Sequence, residues 1–138
     1  MGRILAVDYG KVRTGLAVTD PLRLIATPLD TVPSAALITF LKSYLQKESV
    51  DEFVVGMPKT LRNEDSEIAP LVRIFVTELE KTFPGKPVTL VDERFTSSMA
   101  MKAMIAGGMK KKDRQIKGNV DKISATIILQ SFLDRKNF

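Results

Sequence analysis

Three carboxylate positions in three distant segments are the places where this chain could do chemistry: Asp8, the pair Asp92–Glu93, and Asp121. Asp8 closes the run Ile4-Leu5-Ala6-Val7, four apolar residues with no polar alternation. Such a run reads as a strand buried on both faces, at the centre of a sheet. An ionised carboxylate at its end is costly to desolvate and needs a partner, for which a metal ion is a natural choice. The plainer reading is a turn aspartate that accepts local backbone N–H bonds; the buried setting favours the functional one. Asp92 and Glu93 end a second apolar run, Val88–Val91. Adjacent strand residues point to opposite faces, so at most one of the two can face Asp8. Arg94 can pair with the other, and a solvated strand end with an ion pair is an equal alternative for this segment. Asp121 heads a helical stripe with Ala125, Ile128 and Phe132. An acid there also complements the helix dipole, worth up to about 1 kcal/mol, but that role needs only the first turn and not the apolar stripe.

The chain has no cysteine and no histidine. Disulfides, thiolate or imidazole zinc sites, cysteine nucleophiles and every His-based triad are thereby excluded. Acid–base or metal chemistry must rest on carboxylates, which select hard cations such as Mg²⁺ or Mn²⁺. In two-metal phosphoryl transfer, ions about 3.5–4 Å apart activate the attacking water and stabilise the leaving oxygen. Gly10 and Gly15 bracket Arg13 just after Asp8. The glycines would let a phosphate backbone approach, and Arg13 or Arg94 could pair with the phosphate. As simple turn residues the glycines are explained equally well.

The elements that must position these groups follow from the chain order. Strands are expected over about 3–9, 14–20 and 23–31, with Asp20-Pro21-Leu22 as a turn, so the first three form a meander. A helix over about 34–47 carries Leu37, Phe40, Leu41, Tyr44 and Leu45. A short strand at Glu52–Gly56 ends where Gly56-Met57-Pro58 must turn, and the polar residues 59–67 form a loop. A helix to about 83 follows, with Pro70 in its first turn and Leu71, Ile74, Phe75, Leu79 and Phe83 as its apolar residues. Val88–Glu93 is the fifth strand. Thr96 or Ser97 caps a helix over about 97–106, ended by Gly107-Gly108, and Asn119 caps a last helix to about 135. This order gives one α/β domain over 1–138: a mixed five-stranded sheet, a three-strand meander plus two parallel strands, with helices on both faces. The same order occurs in ribonuclease H-like folds.

The net charge of +5 is concentrated in Lys110, Lys111, Lys112, Arg114 and Lys117, with Asp113 the one acid among them. A local basic patch suits phosphates, and a solvated charged loop explains the same charge equally well. The hydrophobic fraction of 44% and the absence of a membrane-length apolar run or a signal peptide pattern fit a globular, cytoplasmic protein.

Four motifs in order, Asp8-x-Gly10-x-x-Arg13-x-Gly15, Val55-Gly56-Met57-Pro58, Val91-Asp92-Glu93-Arg94-Phe95-Thr96-Ser97 and Val120-Asp121-Lys122-Ile123-Ser124-Ala125, resemble the YqgF/RuvX family over essentially the whole chain. Its members are described as Holliday junction resolvases and as nucleases that mature the 5′ end of the small-subunit (16S) rRNA precursor. The resemblance implies a ribonuclease H-like fold, a cytoplasmic location and an acidic metal site. By motif, Asp8, Glu93 and Asp121 become the catalytic and metal-binding acids, and Arg13 and Arg94 substrate or structural arginines. The implied partners are structured RNA, the ribosomal small-subunit precursor, or four-way DNA, for a monomer or a homodimer. A non-catalytic RNA-binding module is the alternative from another class. An actin-like ATPase, which also begins with Asp-x-Gly, would need a second lobe and a second phosphate loop. The chain departs from the family pattern in the loop Lys59–Asp65, at Ser124, and at Phe95 and Ser97. The family tends to lack an acid on the fourth strand, and here that strand carries Gly56, past which Glu93 must reach.

Overall fold

The computed structural model describes residues 2–58, 67–93 and 117–136, with the side chains of Pro58, Glu93, 117–121 and 135–136 outside the description. Five strands form one sheet: β1 (Arg3–Asp8), β2 (Arg13–Thr19), β3 (Ala26–Pro33), β4 (Val50–Pro58) and β5 (Val88–Glu93). Their order is β3-β2-β1-β4-β5. β1 and β2 run antiparallel, as do β2 and β3, while β1, β4 and β5 are mutually parallel. The unalternated run Ile4–Val7 therefore sits in the central strand, where both faces are covered and every one of its side chains is buried.

Alternation along β1 sorts the core into two layers. Leu5 and Val7, with Leu16, Phe53 and Val55, face α1 (Leu37–Lys47) and α2 (Ala69–Thr82). Ile4 and Ala6, with Ala17, Val54 and Val91, face α3 (Lys117–Lys136) through Ala125, Ile128, Leu129, Phe132 and Leu133. Two bulges adjust the sheet. Asp51 is the extra residue of β4 between the Arg3↔Val50 and Ile4↔Glu52 pairs, and Leu29 is that of β3 between Leu16↔Asp30 and Ala17↔Pro28.

The structure departs from or refines the expected elements at four points. β4 does not turn at Gly56 but continues to Pro58, because β5 pairs with it through Gly56↔Val91, Met57↔Asp92 and Pro58↔Glu93. The first helix opens with a 3-10 turn over Ser34–Ala36. In α2 the buried stripe is Ala69, Val72, Phe75 and Leu79, whereas Ile74 is 64% exposed. Ile74 lies one residue, and so about 100°, off that stripe. Asn119 falls inside α3 rather than capping it. N–H groups of a first helical turn lack intrahelical partners, so Gly118 and Asn119 cost little there. Pro70 does occupy the first turn of α2, and Gly85, with φ of +86°, makes the turn that leads to β5. The expected helix over 97–106 and the loop over 59–66 lie outside the described residues.

Candidate active site

Asp8 ends the central strand at the carboxyl edge shared by the three parallel strands, the edge at which open α/β sheets place their ligands. It pairs with Gly15 across β2. On the β4 side it lies one step past Val7↔Val55, level with Gly56, which in turn pairs with Val91. By alternation Asp8 belongs to the face of Ile4 and Ala6, the face covered by α3. Its side chain is half-buried and engaged within the fold.

Of the two acids ending β5, Asp92 shares the parity of Val88, which packs on the α1/α2 side, and it is exposed. Position 93 shares the parity of Val91, on the α3 side with Asp8. The backbone of Glu93 is two strands from β1, roughly 10 Å across the sheet at about 4.8 Å per strand. On β4, which lies between them, Gly56 is level with Asp8 and Pro58 pairs with Glu93. Asp121 lies in the first turns of α3, four residues before the buried Ala125 and seven before the buried Ile128. The Glu93 and Asp121 side chains lie outside the description, and among the described residues no three acids cluster as a metal site. Arg94, Lys110, Lys111, Lys112 and Arg114 lie outside the described residues, as does the side chain of Lys117.

Gly10, Arg13 and Gly15 are brought to the same edge by the β1–β2 turn. A Cβ at Gly10 would collide with the carbonyl oxygen of Arg13, so backbone packing demands glycine there. Gly15 is the cross-strand partner of Asp8, and Arg13 shares the alternation of Gly15 and Ala17 on the α3 side. The turn reading and the phosphate-approach reading of Gly10 are thus compatible at one position.

Sequence reading marks Ser34 only as the start of a helix. Its hydroxyl donates to the Gly10 carbonyl at 2.5 Å and its backbone N–H donates to the Val12 carbonyl at 2.9 Å. The hydroxyl also lies 2.8 Å from that of Thr14, which is fully buried. Tyr9, just after Asp8, stacks on Phe75 of α2 with ring centroids 5.0 Å apart. A cavity of about 210 Å³ lined by Tyr9, Ser34, Leu37, Phe75 and Glu78 lies on this side of the sheet, opposite Asp8's face. On the α3 side, Ser124 is buried and its hydroxyl has no hydrogen-bond partner among the described residues. It follows Asp121 by three residues in the sequence of α3.

The residue types fit a hard divalent cation, since a chain with no His or Cys offers carboxylates, and positions 8 and 93 share one face at the carboxyl edge of the parallel strands. A mixed sheet in this order, with helices on both faces, is a ribonuclease H-like fold. Its solved neighbours share this fold. The Thermus thermophilus RuvC structure matches with a TM-score of 0.57 at 14% identity, covering 98% of this chain and 96% of that one. The same protein in complex with a Holliday junction substrate matches with 0.56 at 17% identity, covering 97% and 96%. The chain belongs to the RuvX family, described as Holliday junction resolvase, whose model matches residues 2–135. Among its relatives, proteins of Parabacteroides distasonis (54% identical, 100% of this chain and 99% of that one) and Bacteroides thetaiotaomicron (52%, 100% of both) are each named "Putative pre-16S rRNA nuclease". A Flavobacterium johnsoniae protein of the same name is 49% identical over 100% of both chains. The chain is accordingly a member of a nuclease family, as its motifs implied. No described helix is long and apolar enough to cross a membrane.

Proposed function

We propose that this protein hydrolyses phosphodiester bonds in the 5′ extension of the 16S rRNA precursor, with Asp8, Glu93 and Asp121 as its metal-binding acids. The substrate is proposed from relatives about half identical over the full chain. The chemistry is carried by one observation: Asp8 ends the central strand at the carboxyl edge, on the α3 face, beside two positions without side chains, Gly15 and Gly56. Those glycines leave room for a phosphate between β2 and β5.

Asp8, Glu93 and Asp121 would hold Mg²⁺ or Mn²⁺, which when bound would supply an activated water and charge stabilisation at the leaving oxygen. The β1–β2 turn orients the strand being cut, and Arg13 contributes a guanidinium suited to a phosphate oxygen. The basic stretch Lys110–Lys117 would hold flanking phosphates, giving binding that weakens with salt. Hydrolysis adds water across one P–O bond and leaves a phosphate on one fragment and a hydroxyl on the other.

The test is cleavage of a 5′-extended rRNA precursor in Mn²⁺ or Mg²⁺. Asp8→Asn, which keeps the side-chain shape and removes the charge, is expected to lower kcat at least about 100-fold while leaving the far-UV spectrum unchanged. Equal turnover by wild type and variant would refute the assignment. The family description favours a second reading, resolution of four-way DNA. That reading requires paired cuts and hence two symmetry-related sites, so a strictly monomeric protein that leaves junctions intact excludes it.

A further inference from the structure

We infer that Ser34, at the junction of β3 and α1, is a positioning residue for the Asp8 site, acting through the β1–β2 turn. This rests on the reading of Asp8 as catalytic. A serine hydroxyl has one hydrogen, and that of Ser34 is donated to the Gly10 carbonyl at 2.5 Å. The 2.8 Å contact with Thr14 is therefore a bond that Thr14 donates. The result is a relay, Thr14 O–H to Ser34 O–H to Gly10 carbonyl, in which each bond polarises the next. The N–H of Ser34 adds a third bond, to the Val12 carbonyl at 2.9 Å. One residue thus grips the turn at Gly10, Val12 and Thr14.

The turn has reason to need this grip. It spans only Tyr9–Val12 between Asp8 and Arg13, and Val12 is 69% exposed, so its own side chain provides little packing. Gly10 admits more backbone conformations than any other residue type would. Tyr9 is held from α2 by its stack on Phe75, which fixes the start of the turn and leaves its tip to Ser34. The tip carries the chain from Asp8 to Arg13, so a loosened tip shifts both groups relative to a bound phosphate. Misplacement of this kind acts on the reacting geometry rather than on overall binding.

The test compares Ser34→Ala, Ser34→Thr and Thr14→Val with wild type, each well below its own Tm, by precursor cleavage and by amide hydrogen exchange at residues 10–13. Ser34→Ala is expected to lower kcat on the order of 10- to 100-fold and to speed exchange at residues 10–13. Its KM should stay within about twofold of wild type. Ser34→Thr keeps the hydroxyl and should restore both readouts, while Thr14→Val keeps the Gly10 bond and should fall between. Wild-type kcat in Ser34→Ala, or a lowered kcat with unchanged exchange at residues 10–13, overturns the inference. Asp8→Asn separates the two proposals. If it still cleaves, the catalytic reading of Asp8 fails and the positioning role falls with it. If it is inactive while Ser34→Ala is fully active, only the positioning role fails.

Discussion

At the scale of single residues, the site depends on backbone held close to backbone. Asp8 ends its strand at the carboxyl edge, the chain turns sharply just after it, and Gly10 permits that turn by lacking a Cβ where the Arg13 carbonyl sits. Gly10→Ala must push that carbonyl aside, an overpacking strain expected to cost about 1–3 kcal/mol. Urea denaturation should show this as a lower midpoint with an unchanged slope. Ser34 shows the limit of motif reading at this scale. A lone serine near a helix start carries no chemical signal, and its bonds to residues 10, 12 and 14 exist only because β3 brings it beside the turn.

At the scale of elements, α3 is the roof of the candidate site and the sole cover of one sheet face among the described residues. Leu129 is fully buried in that layer, and Leu129→Ala is expected to destabilise the fold by about 2–5 kcal/mol. Ile74 on α2, 64% exposed, should be replaceable by Ser within about 0.5 kcal/mol. Chemical denaturation of both variants checks the pair, and a large loss for Ile74→Ser would place a further packed element against α2. The apolar runs of β1 and β4 announced strands, because burial on both faces leaves no polar residue to break Ile4–Val7 or Phe53–Val55. The length of β4 was not legible, since Gly56-Met57-Pro58 carries local turn signals that pairing with β5 overrides. The apolar residues of α2 do not by themselves mark its buried stripe, because angular position decides burial and leaves Ile74 outside it.

At the scale of the whole molecule, the two ends of the sheet have different tasks. The edge opposite Asp8 is tied by charge. The Asp51 carboxylate accepts from the Gly2 N–H at 2.9 Å and from Arg23 at 2.5 Å, while Arg23 also donates to the Gly2 carbonyl. The Gly2 N–H bond leads in holding the Asp51 carboxyl below its ordinary pKa of 3.8. N–H bonds from the β2–β3 turn, led by Ile25, do the same for Asp20. A depressed pKa means that the unfolded chain binds more protons between the folded and unfolded values, so stability rises with pH in that window. These contributions are present above about pH 3.8 and disappear as pH falls through the lower, folded-state values. Thermal midpoints measured from pH 5 downward should therefore decline, and the decline should be shallower in Asp51→Asn and Asp20→Asn.

The sequence alone determined the class of chemistry and the outline of the fold. Residue types settle the first, since a chain without His or Cys has only carboxylates to offer a metal, and local hydrophobic periodicity settles much of the second. Strand alternation also limited Asp92 and Glu93 to at most one residue facing Asp8. Only the tertiary structure supplied the register of β5 on β4, in which position 93 shares the parity of Val91 and Asp92 that of Val88. It likewise supplied the grip of Ser34 on the Gly10 turn and the level alignment of Asp8 with Gly15 and Gly56. These depend on pairing between segments far apart in the chain, and no local pattern encodes the register in which distant strands meet.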